Sequence, residues 1–222
     1  GRIEAAYAGV LLNTDFIDNS AGVDTSDHEV NIKILLSAAV KRGELSQDQR
    51  NKLLASMTDE VGELVLVDNY RQNQAISLME RMSASRLGSF GHFIRTLEGQ
   101  GLLDRAIEFL PSDAELNDRK ARGQGLTRPE LSVLLSYDKI VIFNQMLDSD
   151  VPEDPYLSKE LVRYFPKALQ ETYAQDMENH RLRREIIATA VTNSTVNRMG
   201  STFVMRMQED TGESPGQIAK AY

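Results

Sequence analysis

Apolar residues recur at intervals of three and four along most of the chain after residue 45, which is the spacing of one face of an α-helix. The longest such patterns cover residues 58–82 and 127–146, and no run of alternating strands is found there. The clearest helix-start signals are the capping-box pairs Ser46 with Gln49 and Ser112 with Glu115. Gly212 follows another periodic segment as a stop signal. The pattern predicts a mainly α fold.

The front of the chain has a different pattern. An apolar run of strand length at residues 7–12 is followed by a small and polar segment at residues 19–29, and helical spacing begins at Val30. We therefore predict a strand, a turn and a helix start. Gly22 lets the backbone approach a ligand closely, and the free N–H groups of a helix start favour a carboxylate or phosphate.

An ordinary connection has the same composition. Ser26 can serve as the N-cap of the helix, with Glu29 three residues later completing a capping box. From the chemistry of the residues alone this structural interpretation is favoured over a ligand site.

Composition narrows the classes of protein. A chain of 222 residues forms one or two domains without covalent cross-links, and it contains no cysteine. It has no signal peptide and no long apolar run, so we expect a cytoplasmic protein and no membrane segment. The net charge of −8 argues against nucleic acid as a partner, and the cluster Arg181, Arg183 and Arg184 is interpreted as a solvated helix face.

A metal site is not expected. The three histidines, His28, His92 and His180, are far apart in sequence, so only the fold could assemble ligands around them. Aspartates are dense at the front of the chain, but their spacing lacks the alternation and central glycine of an EF-hand loop. These aspartates, Asp15, Asp18, Asp24 and Asp27, are interpreted as turn and cap residues.

The segment at residues 19–29 resembles part of a known protein family, and this favours a ligand site over an ordinary connection. Its pattern of Asn19, Gly22, Val23, Ser26 and Glu29 resembles the Asn-Ala-Gly-Gly-Val-x-x-Ser segment that closes the nucleotide-binding domain of glutamate dehydrogenases. With Ser20, Ala21 and Asp27-His28 in place of the usual residues, the segment is similar to that of the very large bacterial NAD-dependent members. Three later segments, residues 57–61, 127–131 and 191–200, resemble the C-terminal region of the same family.

The resemblance implies a role for each matched residue. Ser26 would hydrogen-bond the side-chain carboxylate of L-glutamate, Val23 would pack on its methylenes, and Asn19 would lie near the nicotinamide ribose of NAD. Gly22 would permit close approach, and Glu29 would orient the segment. The implied reaction converts L-glutamate to 2-oxoglutarate and ammonium. No catalytic residue is expected in this chain, which also lacks the Gly-x-Gly-x-x-Gly turn that binds a pyrophosphate.

The resemblance also suggests an organisation. We expect residues 1–45 to end a catalytic domain of the α/β dinucleotide-binding type and residues 46–222 to form a helical C-terminal domain. The chain opens without an initiator methionine and stops within a predicted helix, so we expect a fragment of a longer, homo-oligomeric enzyme. The alternative is a helical interaction or regulatory domain with no ligand site of its own.

Overall fold

The computed structural model describes residues 1–221, which contain fourteen α-helices, one short 3-10 helix at Val151–Glu153 and no strand. The helices are α1 (Arg2–Tyr7), α2 (Asp15–Asp18), α3 (Ser20–Lys41), α4 (Gln47–Ser56), α5 (Thr58–Ser83), α6 (Leu87–Gly99), α7 (Asp113–Ala121), α8 (Arg128–Leu147), α9 (Lys159–Tyr164), α10 (Lys167–Gln170), α11 (Ala174–Glu178), α12 (Arg183–Met199), α13 (Phe203–Thr211) and α14 (Pro215–Ala221). The mainly α fold class is confirmed. No helix in the described part of the chain is both long and apolar enough to span a membrane.

The helices form two compact units. The first unit comprises Gly1–Asp18, Arg71–Ile142 and the residues from Ser194 onward. The second comprises Asn19–Tyr70 and Phe143–Asn193. Each unit has its own apolar core. Fully buried members in the first unit are Ile76, Ile94, Leu97, Leu131, Leu134 and Leu135, and those in the second are Leu35, Leu36, Met57, Leu161, Phe165 and Ile187.

Local sequence signals set many helix ends. Ser46 and Ser112 each accept a hydrogen bond from the backbone N–H three residues later, so both predicted capping boxes are confirmed. Gly212 ends α13 in the left-handed conformation, with φ of 74°. The helix predicted to start at Ser214 and Pro215 is α14.

The front of the chain differs from the prediction. Tyr7 is the last residue of α1, and residues 10–14 have no regular secondary structure. The guanidinium of Arg119 lies over the Tyr7 ring in the first unit, with 5.4 Å between Arg119 Cζ and the ring centroid. A strand needs a neighbouring strand to complete its hydrogen bonds, and residues 1–221 provide none. Whether this segment belongs to an α/β domain stays a prediction.

The start of α3 was also predicted wrongly. The helix begins at Ser20 with Asn19 as N-cap, so residues 20–29 form helical turns and not a loop. Ser26 is therefore not an N-cap, and Asp24 and Asp27 are not turn residues. Asn69 on α5 donates a hydrogen bond to the Ser20 hydroxyl at 2.8 Å, and this contact from a distant part of the sequence supports the first turn. Tertiary contacts here override the local preference of Ser, Asp and Gly for loops.

Candidate functional site

The four residues expected to contact substrate and cofactor lie on one face of α3. Asn19, Gly22, Val23 and Ser26 follow the i, i+3, i+4, i+7 spacing, and all four are exposed. Val23 is 77% exposed. Helix geometry thus places a row of small, neutral side chains on the surface of the second unit.

The other side of α3 fixes this row in place. Ile32, Leu35 and Leu36 are buried in the core of the second unit. Directly before Ile32, the Asn31 side-chain amide donates to the Tyr164 hydroxyl at 2.8 Å. That hydroxyl donates in turn to a carboxylate oxygen of Asp27, also at 2.8 Å. The exposed face is therefore carried by a helix whose opposite side is packed and hydrogen-bonded, as a preorganised binding surface requires.

Gly22 has no packing reason to be glycine. A Cβ atom built on Gly22 would meet no other atom within 4 Å, and its backbone is helical. Glycine in a helix costs stability relative to alanine because it orders more backbone freedom. Gly62 on α5 and Gly88 on α6 also face open space, so this observation is compatible with a ligand beside Gly22 but does not by itself indicate one.

The row carries hydrogen-bonding groups and no acid or base. The Asn19 side chain makes no capping hydrogen bond although it occupies the N-cap position. Glu29 forms an ion pair with Lys33 one turn further along α3, so it does not serve the capping box considered for it. Such a surface can bind and orient a ligand but cannot transfer its protons.

The fold also assembles a group that the sequence did not predict. One ligand atom each from Asp24, His28 and Asp68 lies within 4.8 Å of the other two. Asp24 and His28 are four residues apart on α3, a spacing that was visible in the sequence. Asp68 comes from α5, and only the fold could bring it to the pair. No metal site was expected at this position.

A separate cavity of about 310 Å³ lies in the first unit beside Asn13, Asp18, Asn73 and Arg128. Its polar side chains are already paired with one another. The Asn13 side-chain NH2 donates to Asp18 at 2.9 Å and to Asn73 at 2.7 Å, while Arg128 Nε donates to the side-chain Oδ1 of Asn13 at 3.1 Å. The named bonds join segments that are distant in sequence, so we interpret the cluster as structural.

Known proteins similar to this chain agree on one family. Residues 1–79 match the family model described as the catalytic domain of bacterial NAD-glutamate dehydrogenase. Residues 123–222 match the model described as the C-terminal part of glutamate dehydrogenase. The first match contains all four residues of the exposed row on α3.

Three curated relatives are each named NAD-specific glutamate dehydrogenase. The proteins from Halomonas elongata and Pseudomonas aeruginosa are 54% and 52% identical to this chain, and the protein from Mycobacterium tuberculosis is 41% identical. Each alignment covers 100% of this chain.

The chain spans only 14% of the length of each of these relatives. No solved structure matches it. The two family models together cover most of the sequence and name the same enzyme, and the relatives align with it from end to end. On this evidence the chain belongs to the bacterial NAD-specific glutamate dehydrogenase family.

Proposed function

We propose that the protein containing this chain oxidises L-glutamate to 2-oxoglutarate and ammonium, with NAD as the cofactor. NAD, when bound, would supply the acceptor for the hydride that leaves the α-carbon of glutamate, while the amino nitrogen loses a proton. Water then hydrolyses the resulting imine, which releases ammonium and leaves the 2-oxo acid. The support is the match to the catalytic-domain model together with relatives named for this activity.

Within that enzyme, the exposed row on α3 forms one wall of the site. Ser26 donates to the side-chain carboxylate of glutamate, and Val23 covers the methylenes between the two ends of the substrate. Asn19 and Gly22 face the nicotinamide ribose. The observation that carries this assignment is the single exposed helix face shared by all four residues. None of them is a catalytic residue.

The proposal extends to organisation and location. Residues 1–45 end the catalytic domain, and residues 46–222 form a helical domain that serves assembly of a homo-oligomer or regulation. The enzyme works in the cytoplasm, where NAD and glutamate are both available. The second candidate is a helical interaction or regulatory domain that binds neither ligand. The observation in its support is that this chain has no pyrophosphate-binding turn.

A pair of substitutions in the full-length enzyme tests the assignment of the wall. Asn19→Ala should raise the KM for NAD with a smaller effect on the KM for glutamate, because its amide is placed beside the cofactor. Ser26→Ala should do the reverse. Steady-state kinetics with each substrate varied in turn measures both constants. Equal effects of both substitutions on both constants would contradict separate roles for the two residues.

The isolated chain provides a second check. It should reduce no NAD when glutamate is added, because it lacks the pyrophosphate-binding turn and the reacting groups. Turnover that rises in proportion to the concentration of highly purified chain would show that the catalytic groups had been assigned to the wrong part of the enzyme.

A further inference from the structure

The Asp24, His28 and Asp68 side chains form a compact cluster in the second unit. One potential ligand atom from each lies within 4.8 Å of the others, and the three residues come from two helices, α3 and α5. His28 is 3% exposed, whereas the two aspartates are partly exposed. The cluster is therefore open to small ions on the carboxylate side and closed on the imidazole side.

The His28 ring has an unmet hydrogen-bonding requirement. Its Nδ1 atom is buried and has no hydrogen-bond partner. A buried polar atom left in this state destabilises a protein, and such atoms are rare in native structures. Seven buried side-chain atoms in residues 1–221 lack such a partner, and His28 Nδ1 is the one that belongs to a residue of this cluster.

Neighbouring groups hold the ring in a fixed orientation. Tyr164 stacks on it, with 4.4 Å between ring centroids and 21° between ring planes. The tyrosine is itself held at its hydroxyl by Asn31 and Asp27, each at 2.8 Å. A histidine that is fixed before its ligand arrives loses little freedom on binding.

The charges around the cluster favour a cation. Burial lowers the pKa of the His28 imidazole, and the nearby carboxylates of Asp68 and Asp27 raise it only in part. Burial thus favours the neutral ring, which is the form that binds a metal. Asp24 and Asp68 also take part in other interactions. A carboxylate has about four lone-pair sites, so it can keep such a partner and still offer an oxygen to a metal.

We propose that Asp24, His28 and Asp68 bind one divalent transition-metal ion and so connect α3 to α5. One imidazole nitrogen and two carboxylate oxygens suit zinc, cobalt or manganese better than calcium or magnesium, which prefer oxygen ligands alone. Two ligands four residues apart on one helix face, with a third from another helix, form a common arrangement for such ions. The ion stabilises the helix that carries Ser26 and takes no part in the chemistry.

The probe is Co²⁺, whose visible absorption reports its ligands, added to metal-free full-length protein. We expect one Co²⁺ per chain at this site. Asp24→Asn and Asp68→Asn should each weaken binding by at least about 10-fold. Both changes retain side-chain size, and circular dichroism confirms that each variant is folded before titration.

Two matched controls separate this cluster from chance binding elsewhere. Glu29→Gln changes an exposed carboxylate on the same helix that pairs with Lys33, and His92→Asn changes an exposed histidine paired with Glu209. Both should bind Co²⁺ as the unaltered protein does. The proposal is overturned if the unaltered protein binds no Co²⁺, or if Asp24→Asn and Asp68→Asn bind it unchanged. The readout is metal binding and not turnover, so the result is independent of the proposed enzymatic activity.

Discussion

Two segments of this chain share the same four-residue pattern but form different structures. Thr127 and Glu130 stand three apart, as do Ser26 and Glu29, and both pairs match the start signal of a helix. The first pair does start a helix. Helix α8 begins at Arg128, and the Thr127 N–H and hydroxyl both donate to Glu130, at 2.7 and 2.8 Å. At the second pair the residues lie inside α3 and are exposed.

The surroundings of the two acidic residues explain the difference. Glu130 is 1% exposed and also accepts two hydrogen bonds from the guanidinium of Arg119, at 2.8 and 2.9 Å. Glu29 is exposed and pairs only with Lys33 on its own helix. The side chains of Thr127 and Glu130 are both hydrogen-bonded, whereas Ser26 is on the surface. Because the pair Ser26 and Glu29 does not start a helix, ligand binding is the role that we assign to Ser26.

The largest loss of stability is expected when Glu130 is replaced. Glu130→Ala leaves the Arg119 guanidinium without its buried partner, and breaking such a pair costs about 3 to 5 kcal/mol of unfolding free energy. The matched change Glu29→Ala removes a surface pair and should alter stability by about 0.5 kcal/mol or less. Denaturant unfolding of the two variants measures both values. Similar losses at the two sites would contradict the contrast drawn between them.

A small increase in stability is expected when Gly22 is replaced. Gly22→Ala should stabilise the protein by about 0.5 kcal/mol, because alanine orders less backbone freedom in a helix and its Cβ meets open space. The same change should weaken NAD or glutamate binding, since the methyl group occupies the space assigned to the ligand. Melting temperature and KM measured on one preparation test both parts. A variant that is more stable and kinetically unchanged would argue that no ligand approaches this helix.

Local signals made much of the fold predictable. The capping boxes at Ser46 and Ser112 and the left-handed stop at Gly212 depend on residues within a few positions of each helix end. The start of α3 was not predictable in this way, because it depends on Asn69, which is 49 residues away from Ser20. The chain was also expected to be extended at Tyr7, where the structure has a helix.

The candidate site was also only partly predictable from the sequence. Its residues were identified through a resemblance, and their common face follows from helical spacing once α3 is known to begin at Ser20, directly after Asn19. The pairing of Asp24 and His28 with Asp68 was beyond the sequence, because no pattern within α3 points to a residue on α5. Tyr164, which fixes His28 and Asn31, is likewise more than 130 residues away from both along the chain.

The most direct test of the account is Ser26→Ala in the full-length enzyme, with melting temperature and glutamate saturation measured on the same sample. Loss of a hydrogen bond to a carboxylate should lower kcat/KM for glutamate about 10- to 150-fold, equivalent to about 1.5 to 3 kcal/mol. Stability should hardly change, because Ser26 is exposed and caps no helix. The control Thr127→Ala should show the opposite profile, with about 1 kcal/mol of stability lost and kcat/KM retained. A Ser26→Ala enzyme with unaltered kcat/KM would contradict the assignment of this helix face to the substrate.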